Sequence, residues 1–563
     1  MRRWVCPLAL VALCGLLLFW RLGVTPLDDF DEAYYAEGAR EMLERGDLGT
    51  PYYNGQPFLL KPILIYWLTA GAFRVFGVTE FAARSVSAFF ATIVVLAVYW
   101  FGRRAIGSRA GFMAGVMLAL CYMWVDTGRE AMIDMPLTAA LAPAMFLFFL
   151  GTEAPPERKW RFYLPAYPLL GLALLAKGPA GTVPSLLGLL GYLLWSRTLT
   201  RTLREAYLLP GIALTLAVAA PWYVYEGIRQ PGFLQTFLIR EHFGHLRGEL
   251  AREDAWWGHL KNLVVGFFPW VMFLPAALVQ AFHRDSGRPF LKLCAWWAVA
   301  VVVVFSSAGA KLPHYLVPAF PPIALLVAAW FDAWLDGRAR APAAAAAGFG
   351  LLGVAGLLLA ALAGVAALIP PVVRERIAAQ FGAWTPGLAP VVMLTALAAG
   401  SLGAAAAFVV GRPSAEGGAP PPARRAVFPL LASAMLVALL AHVGWFKPRL
   451  ALIQSQPRKE LAQLAGAVLP ADEPLGVFYA KRNATIFYSL RPIVDLGEWE
   501  PEKLVAFLSS PTPATALTHA KFLPHLEKAL PGKVYLCTRR GDFVLVSNHQ
   551  LRLSAPSPRI QAP

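Results

Sequence analysis

Apolar residues along this chain gather into long runs, and the short polar stretches between them carry most of the charge. Runs such as Gly387 to Val410, Ala344 to Ile369 and Phe428 to Phe446 match the roughly 20 residues a helix needs to cross a hydrocarbon core. The pattern predicts thirteen spans, near residues 5–20, 81–101, 110–125, 135–150, 162–176, 180–195, 207–225, 262–281, 291–306, 315–334, 344–369, 387–410 and 427–446. After about Pro448 the periodicity changes. A helical stretch, Pro457–Leu469, precedes strand-like runs at Leu475–Tyr479 and Thr485–Leu490. A helix at Pro501–Leu508 follows, then a hairpin, Val534–Thr538 with Phe543–Val546, turned at Arg540-Gly541-Asp542. The expected fold class is therefore a polytopic α-helical membrane protein with a small C-terminal α/β domain. Residues 1–447 form the membrane domain and 448–563 the soluble one, whose last dozen Pro- and Ser-rich residues are expected to be disordered.

Composition strengthens the membrane assignment. The 563 residues are 58% hydrophobic and 15% charged, against about 25% charged in an ordinary soluble domain. The net charge of +16 is a topology signal, because Lys and Arg punctuate short loops. With the N-terminus inside, the six loops assigned to the cytoplasmic face hold 17 Lys and Arg, and the four short loops opposite hold five. That asymmetry, with an odd number of spans, places the C-terminus outside. Two long loops, 21–80 and 227–261, then lie on the outer face. No basic stripe interleaved with stacking aromatics occurs, which excludes nucleic acid as a partner. The five cysteines lack CxxC spacing, so a disulfide framework and a Cys-rich metal site are both disfavoured. Arg2-Arg3 and the apolar run to Trp20 lack a small-x-small cleavage site and are expected to remain as the first span.

Candidate chemistry lies on the outer side. Eight of 34 acids fall between positions 28 and 47, in a loop that opens Asp28-Asp29-Phe30-Asp31-Glu32. A solvated helix face over Ala33–Arg45 accounts for Glu37, Glu41 and Glu44. Asp31 and Glu32 precede that helix at the membrane edge, where carboxylates serve as base, metal ligand or sugar-hydroxyl acceptor. In Lys61-Pro62, proline at the first helical position places Lys61 at the cap, beside free amides, which suits a phosphate at headgroup level. The alternative is a lysine snorkelling beside an interfacial helix. Three more clusters fall on the same side: Arg129 to Pro136, Lys177-Gly178-Pro179, and Ser306 to Tyr315 with Lys311. Acids and cations converging on one interface describe a polar cavity.

Taken in order, Asp31-Glu32, Tyr35-Ala36-Glu37, Lys61-Pro62, Tyr66-Trp67, Arg129, Asp134-Met135-Pro136, Lys177-Gly178-Pro179, Pro221-Trp222, Glu241-His242 and Lys311-Leu312 with Tyr315 and Pro318 resemble the aminoarabinose transferase family (ArnT). They are more distantly similar to the protein O-mannosyltransferases. The likeness covers roughly residues 20 to 325. It implies a GT-C fold, an undecaprenyl-phosphate sugar donor, and a bacterial inner-membrane location with a periplasmic tail. It also implies Asp31 at the key acidic position, with Lys61 and Tyr315 facing the carrier phosphate.

The mechanism expected from this has Lys61, Arg129, Lys177 and Lys311 stabilising the leaving phosphate. Asp31, with Glu32 and Asp134, positions or deprotonates the acceptor, while Tyr35, Glu241 and His242 contact sugar or acceptor. Three positions depart from the family pattern: Tyr34 and His245 stand where Arg is usual, and Leu60 where Glu is usual. The donor sugar therefore stays open, with 4-amino-4-deoxy-L-arabinose as one candidate. The acceptor is lipid A or another envelope glycan. No cofactor is required on this reading, although a divalent metal is compatible with it; His242, His245 and His259 lack an accompanying zinc ligand set. The rivals are a protein O-glycosyltransferase, a lipid flippase or transporter, and a scaffold acting through its tail.

Overall fold

Each of the thirteen predicted spans falls on a helix in the computed structural model, which describes residues 2–27, 31–237, 255, 257–283, 288–309, 311–339, 342–368, 388–410 and 422–551. The helices before the second outer loop are α1 (Arg2–Cys14, continued by a π turn over Gly15–Phe19), α2 (Asp31–Arg45), α3 (Leu64–Phe76), α4 (Glu80–Ala105), α5 (Ser108–Ala119), α6 (Tyr122–Gly128), α7 (Asp134–Glu153), α8 (Trp160–Trp195) and α9 (Leu208–Arg229). After it come α10 (Gly258–Gly266), α11 (Leu274–Phe282), α12 (Pro289–Ser307), α13 (Phe320–Leu335), α14 (Pro342–Leu368), α15 (Leu388–Val410) and α16 (Pro422–Ala441). Among the described residues nine helices are long and apolar enough to cross a membrane, or eleven if each bent pair is one span. The bent pairs are α5 with α6, turned by 61°, and the 258–282 segment, turned by 107°. The last span continues without a break to Gln454, beyond residue 447.

The 36 residues of α8 would be about 54 Å long if straight, far more than a bilayer core. They fold back instead. Gly178 has φ +69°, a backbone region that costs an L-residue, and Pro179 opens the second half with its φ already set for a helix. Both ends of α8 then pack on neighbouring residues of α7: Tyr163 against Phe148 at 5.5 Å and Tyr192 against Phe149 at 6.2 Å between ring centres. Two spans joined at Lys177-Gly178-Pro179 are thus present, as the sequence predicts. The bundle core is rich in buried aromatics, with Trp124, Trp270, Trp297 and Trp330 fully enclosed.

The first outer loop contributes α2, a two-residue hairpin (β1 Tyr52–Tyr53, β2 Gln56–Pro57) and α3. Helix α2 starts at Asp31, so Asp31 and Glu32 are its first turn rather than its approach, where carboxylates complement the helix dipole. Its acidic side is not the solvated face expected. Glu37 is fully buried and held by Arg40, and Glu41 accepts from the Gly55 N–H at 3.2 Å. Folding of the hairpin onto α2 and the two guanidiniums of Arg40 and Arg45 account for that; only Glu44 keeps substantial exposure, 59% of its side chain. Helix α3 begins at Leu64 with Ile63 as its cap, so Lys61 lies two residues before the cap and not on it. Pro62 biases Lys61 toward extended backbone, which delays the helix start.

The tail is a five-stranded sheet in the order β4-β3-β5-β7-β6, with β3 (Leu475–Val477), β4 (Ile493–Asp495) and β5 (Thr515–His519) parallel. The hairpin β6 (Tyr535–Arg540) and β7 (Phe543–Ser547) completes it antiparallel. Helices α17 (Gln456–Val468), α18 (Arg482–Ser489), α19 (Pro501–Leu508) and α20 (Leu523–Ala529) surround the sheet. The expected strand at Thr485–Leu490 is the helix α18 instead. Its Ile486 enters the tail's core while Phe487 and Tyr488 pack toward α2 and α3, a burial on two sides that helical geometry permits. The tail docks on the first outer loop: the Leu27 N–H donates to Tyr488 Oη at 2.7 Å, and Asn54 pairs with both backbone groups of Ile493 at 3.0 and 2.8 Å.

Candidate active site

Four elements bring polar side chains to one end of the bundle. Asp134 opens α7, its carboxylate favoured by the helix N-terminus. Lys177 sits at the turn of the α8 hairpin, and its ammonium reaches Asp134 Oδ1 at 2.6 Å. The same ammonium lies 4.5 Å above the ring of Tyr315, so one cation is shared by a carboxylate and an aromatic face. Asp134 is 1% exposed, and its second oxygen, Oδ2, has no hydrogen-bond partner among the described residues. A buried carboxylate oxygen left without a protein partner costs about 1–3 kcal/mol.

Tyr35 joins this pair to the first outer loop. Its hydroxyl donates to Asp31 Oδ1 at 3.4 Å, and its ring meets Tyr66 edge-on at 5.9 Å. Burial first, then the nearby Asp31, Tyr66, Asp134 and Tyr315, push its phenol well above the usual range, so it remains a proton donor at neutral pH. His314 lies within electrostatic reach of Asp134, Lys177, Asp31 and Lys61. Asp31, Lys61, Asp134, Lys177, Tyr35 and Tyr315 therefore converge. Sequence alone does not mark His314 and Tyr66 as site residues. Their position beside Tyr315 and in the Lys61 motif was the only signal. Tyr34, at a departure from the family pattern, stacks on Tyr53 and Phe58 at 4.3 and 4.5 Å.

Two expected site residues are engaged elsewhere. Glu32 makes a bidentate pair with Arg84, both bonds 2.8 Å, and accepts the Ala131 N–H at 2.9 Å. Arg84 in turn donates to the carbonyls of Leu22, Thr25 and Pro26. Arg129 donates to the carbonyls of Leu17 and Trp20 at 2.8 and 3.0 Å, where it completes the end of the first span. Lys311 is buried, with its ammonium turned to the carbonyls of Ala308 and Gly309 in its own loop, four residues before Tyr315. Glu241, His242 and His245 lie outside the described residues. His259 is buried, its ring 6.4 Å from that of Tyr315. Among the described residues no group of three or more His, Cys, Asp or Glu is placed to hold a metal ion.

The fold is that of a polytopic membrane protein of the GT-C type. Residues 60–225 match the family model described as dolichyl-phosphate-mannose-protein mannosyltransferase. An undecaprenyl phosphate-alpha-4-amino-4-deoxy-L-arabinose arabinosyl transferase of Erwinia tasmaniensis is 32% identical over 309 residues, 53% of this chain and 54% of that protein. The enzyme of the same name from Aeromonas salmonicida is 31% identical over 374 residues, 65% of this chain and 66% of its own. The chain thus spans about half the length of the first curated relatives it matches. The crystal structure of ArnT from Cupriavidus metallidurans bound to undecaprenyl phosphate superposes with a TM-score of 0.76 at 23% identity, covering 98% of this chain and 99% of the other. An archaeal oligosaccharyltransferase, AglB from Archaeoglobus fulgidus, follows at 0.53 and 12% identity, covering 98% and 75%. The chain is thus similar to the aminoarabinose transferases and, more distantly, to the protein O-mannosyltransferases.

Proposed function

We propose that this chain is a glycosyltransferase that moves a sugar from undecaprenyl phosphate to lipid A or another envelope acceptor, at the periplasmic face of a bacterial inner membrane. The observation that carries the proposal is the ion pair of Lys177 with buried Asp134, next to Tyr315 and joined through Tyr35 to Asp31. Cations at one side of such a site stabilise the phosphate that leaves with its lipid, and a carboxylate opposite handles the acceptor. Lys61, Lys177, Lys311 and Tyr315 are assigned to the carrier phosphate. Asp31 positions or deprotonates the acceptor, and Asp134 holds the Lys177 ammonium in place. Glu32 and Arg129 hold the frame. In this orientation the N-terminus is cytoplasmic and the tail periplasmic. 4-Amino-4-deoxy-L-arabinose is the favoured sugar because two relatives carry it in their names.

The polar groups cluster at helix ends on one side, which favours interfacial transfer over a flippase with charges at mid-bilayer. The test uses membranes containing the full chain, labelled carrier lipid and lipid A. Asp31→Asn is expected to abolish transfer of label while the protein stays folded and membrane-inserted. Full activity in that variant refutes the assignment, and label appearing on protein instead of lipid moves the acceptor class.

A further inference from the structure

A second charge cluster lies where the last span meets the tail. Lys447, five residues after His442, places its ammonium 2.8 Å from Asp126 Oδ1 and 2.7 Å from Glu130 Oε1. His442 adds its Nε2 at 3.6 Å from the same Asp126 oxygen, and its ring meets Tyr122 edge-on at 5.3 Å. The backbone of the last span is widened into a π turn over His442–Phe446, immediately before the lysine. Such turns are rare and frequent at functional sites. Here the turn has a local use: the tip of the Trp20 ring lies 2.9 Å from where Gly444 would carry a side chain.

Asp126 and Glu130 lie at the start of the segment that leads to Asp134. That segment is held from two sides. On one, Glu32 accepts the Ala131 N–H and pairs with Arg84; on the other, Lys447 bridges Asp126 and Glu130. Ser87 adds a bond to each side of Met132, accepting its N–H at 3.0 Å and donating to its carbonyl at 3.1 Å. Only three residues then separate Glu130 from Asp134, so the height and direction of the Asp134 carboxylate follow from where this turn is fixed. Lys447 is the one of these clamps that comes from the C-terminal part of the chain, 317 residues from Glu130.

We propose that Lys447 is a positioning residue: held between Asp126 and Glu130, it fixes the 126–134 turn that presents Asp134 to Lys177. The proposal rests on the glycosyl-transfer reading for its kinetic consequence, but its structural half stands apart from that reading. Removing Lys447 takes away the ammonium that bridges Asp126 and Glu130, leaves only His442 beside Asp126, and the turn relaxes. A displaced catalytic group typically costs on the order of 10²-fold when the shift approaches 1 Å.

The experiment uses the full-length protein in detergent or nanodiscs, with Lys447→Met, Lys447→Arg and Glu130→Gln. Hydrogen–deuterium exchange of the peptide covering 128–136 is expected to speed up in Lys447→Met, by roughly tenfold or more, and to stay near the wild-type rate in Lys447→Arg. Glu130→Gln, nearly isosteric, is expected to give an intermediate rate and guards against a simple folding failure of Lys447→Met. In the transfer assay kcat falls in Lys447→Met while KM for the carrier lipid holds, and the arginine variant recovers most of the loss. Unchanged exchange over 128–136 in both Lys447→Met and Glu130→Gln overturns the proposal. So does faster exchange with kcat unaltered, which leaves a clamp without a positioning role. If no variant of the chain transfers sugar but the exchange pattern holds, the functional reading fails and the clamp survives.

Discussion

Asp31 and Glu32 are neighbours with opposite fates, and the cause is the 100° that one residue turns around a helix axis. Glu32 faces inward to Arg84 and Ala131; Asp31 stays half-buried with Tyr35 as its partner. Breaking a buried ion pair by removing one charge costs about 3–5 kcal/mol. Glu32→Gln should therefore lower the melting temperature of the purified protein markedly, whereas Asp31→Asn should melt near wild type and lose activity. Equal melting of the two variants would contradict this division of labour. The acidity of the pair was legible in the sequence. Its division was not, because Arg84 lies 52 residues away and nothing local announces it. The same holds for Arg129, whose motif is visible but whose carbonyl partners belong to the first span, 109 and 112 residues upstream.

Helices are legible in the sequence where apolar runs are long, and less so where the tertiary setting decides. The two halves of α8 were separated correctly by Lys177-Gly178-Pro179, since glycine followed by proline is local information. Gly178→Ala puts a side chain on a backbone with φ +69° and ψ −163°, a region almost reserved for glycine, at a cost of about 1–3 kcal/mol. That substitution should reduce the stability of the membrane domain by about that amount in denaturant titration, and displace Lys177 enough to weaken transfer. Helix α18 has the sequence of a strand because Thr485, Ile486, Phe487 and Tyr488 are β-branched or aromatic, a weak preference that packing overrides. The π turn over His442–Phe446 leaves no mark in the hydropathy pattern at all.

At the scale of the molecule, the tail closes onto the loop that carries Asp31. Tyr488 accepts from the Leu27 N–H and donates to Glu80 Oε1 at 3.0 Å, and Lys459 pairs with the same carboxylate. Tyr488→Phe removes one buried acceptor and one donor, for about 1–3 kcal/mol. Limited proteolysis near residue 455 should then be faster than in wild type, with the membrane domain left intact; an unchanged cleavage rate would mean the tail is held by other contacts. Counting Lys and Arg in the loops predicted that the tail and the polar motifs share one side, and they do share one end of the bundle. Which surface of the tail faces the loop was beyond reach, since Asn54 and Ile493 carry no complementary pattern in sequence.

The bond between Leu27 and Tyr488 joins positions 461 residues apart. At about 5–20 residues per second of synthesis, the first outer loop leaves the ribosome roughly 20–90 s before its cover exists. During that interval the apolar side of α2, with Ala33, Ala36 and Ala39, has no tail helix to rest on. Cells making this protein must shield that surface by other means, and truncated chains ending before the tail should be cleared quickly by quality-control proteases.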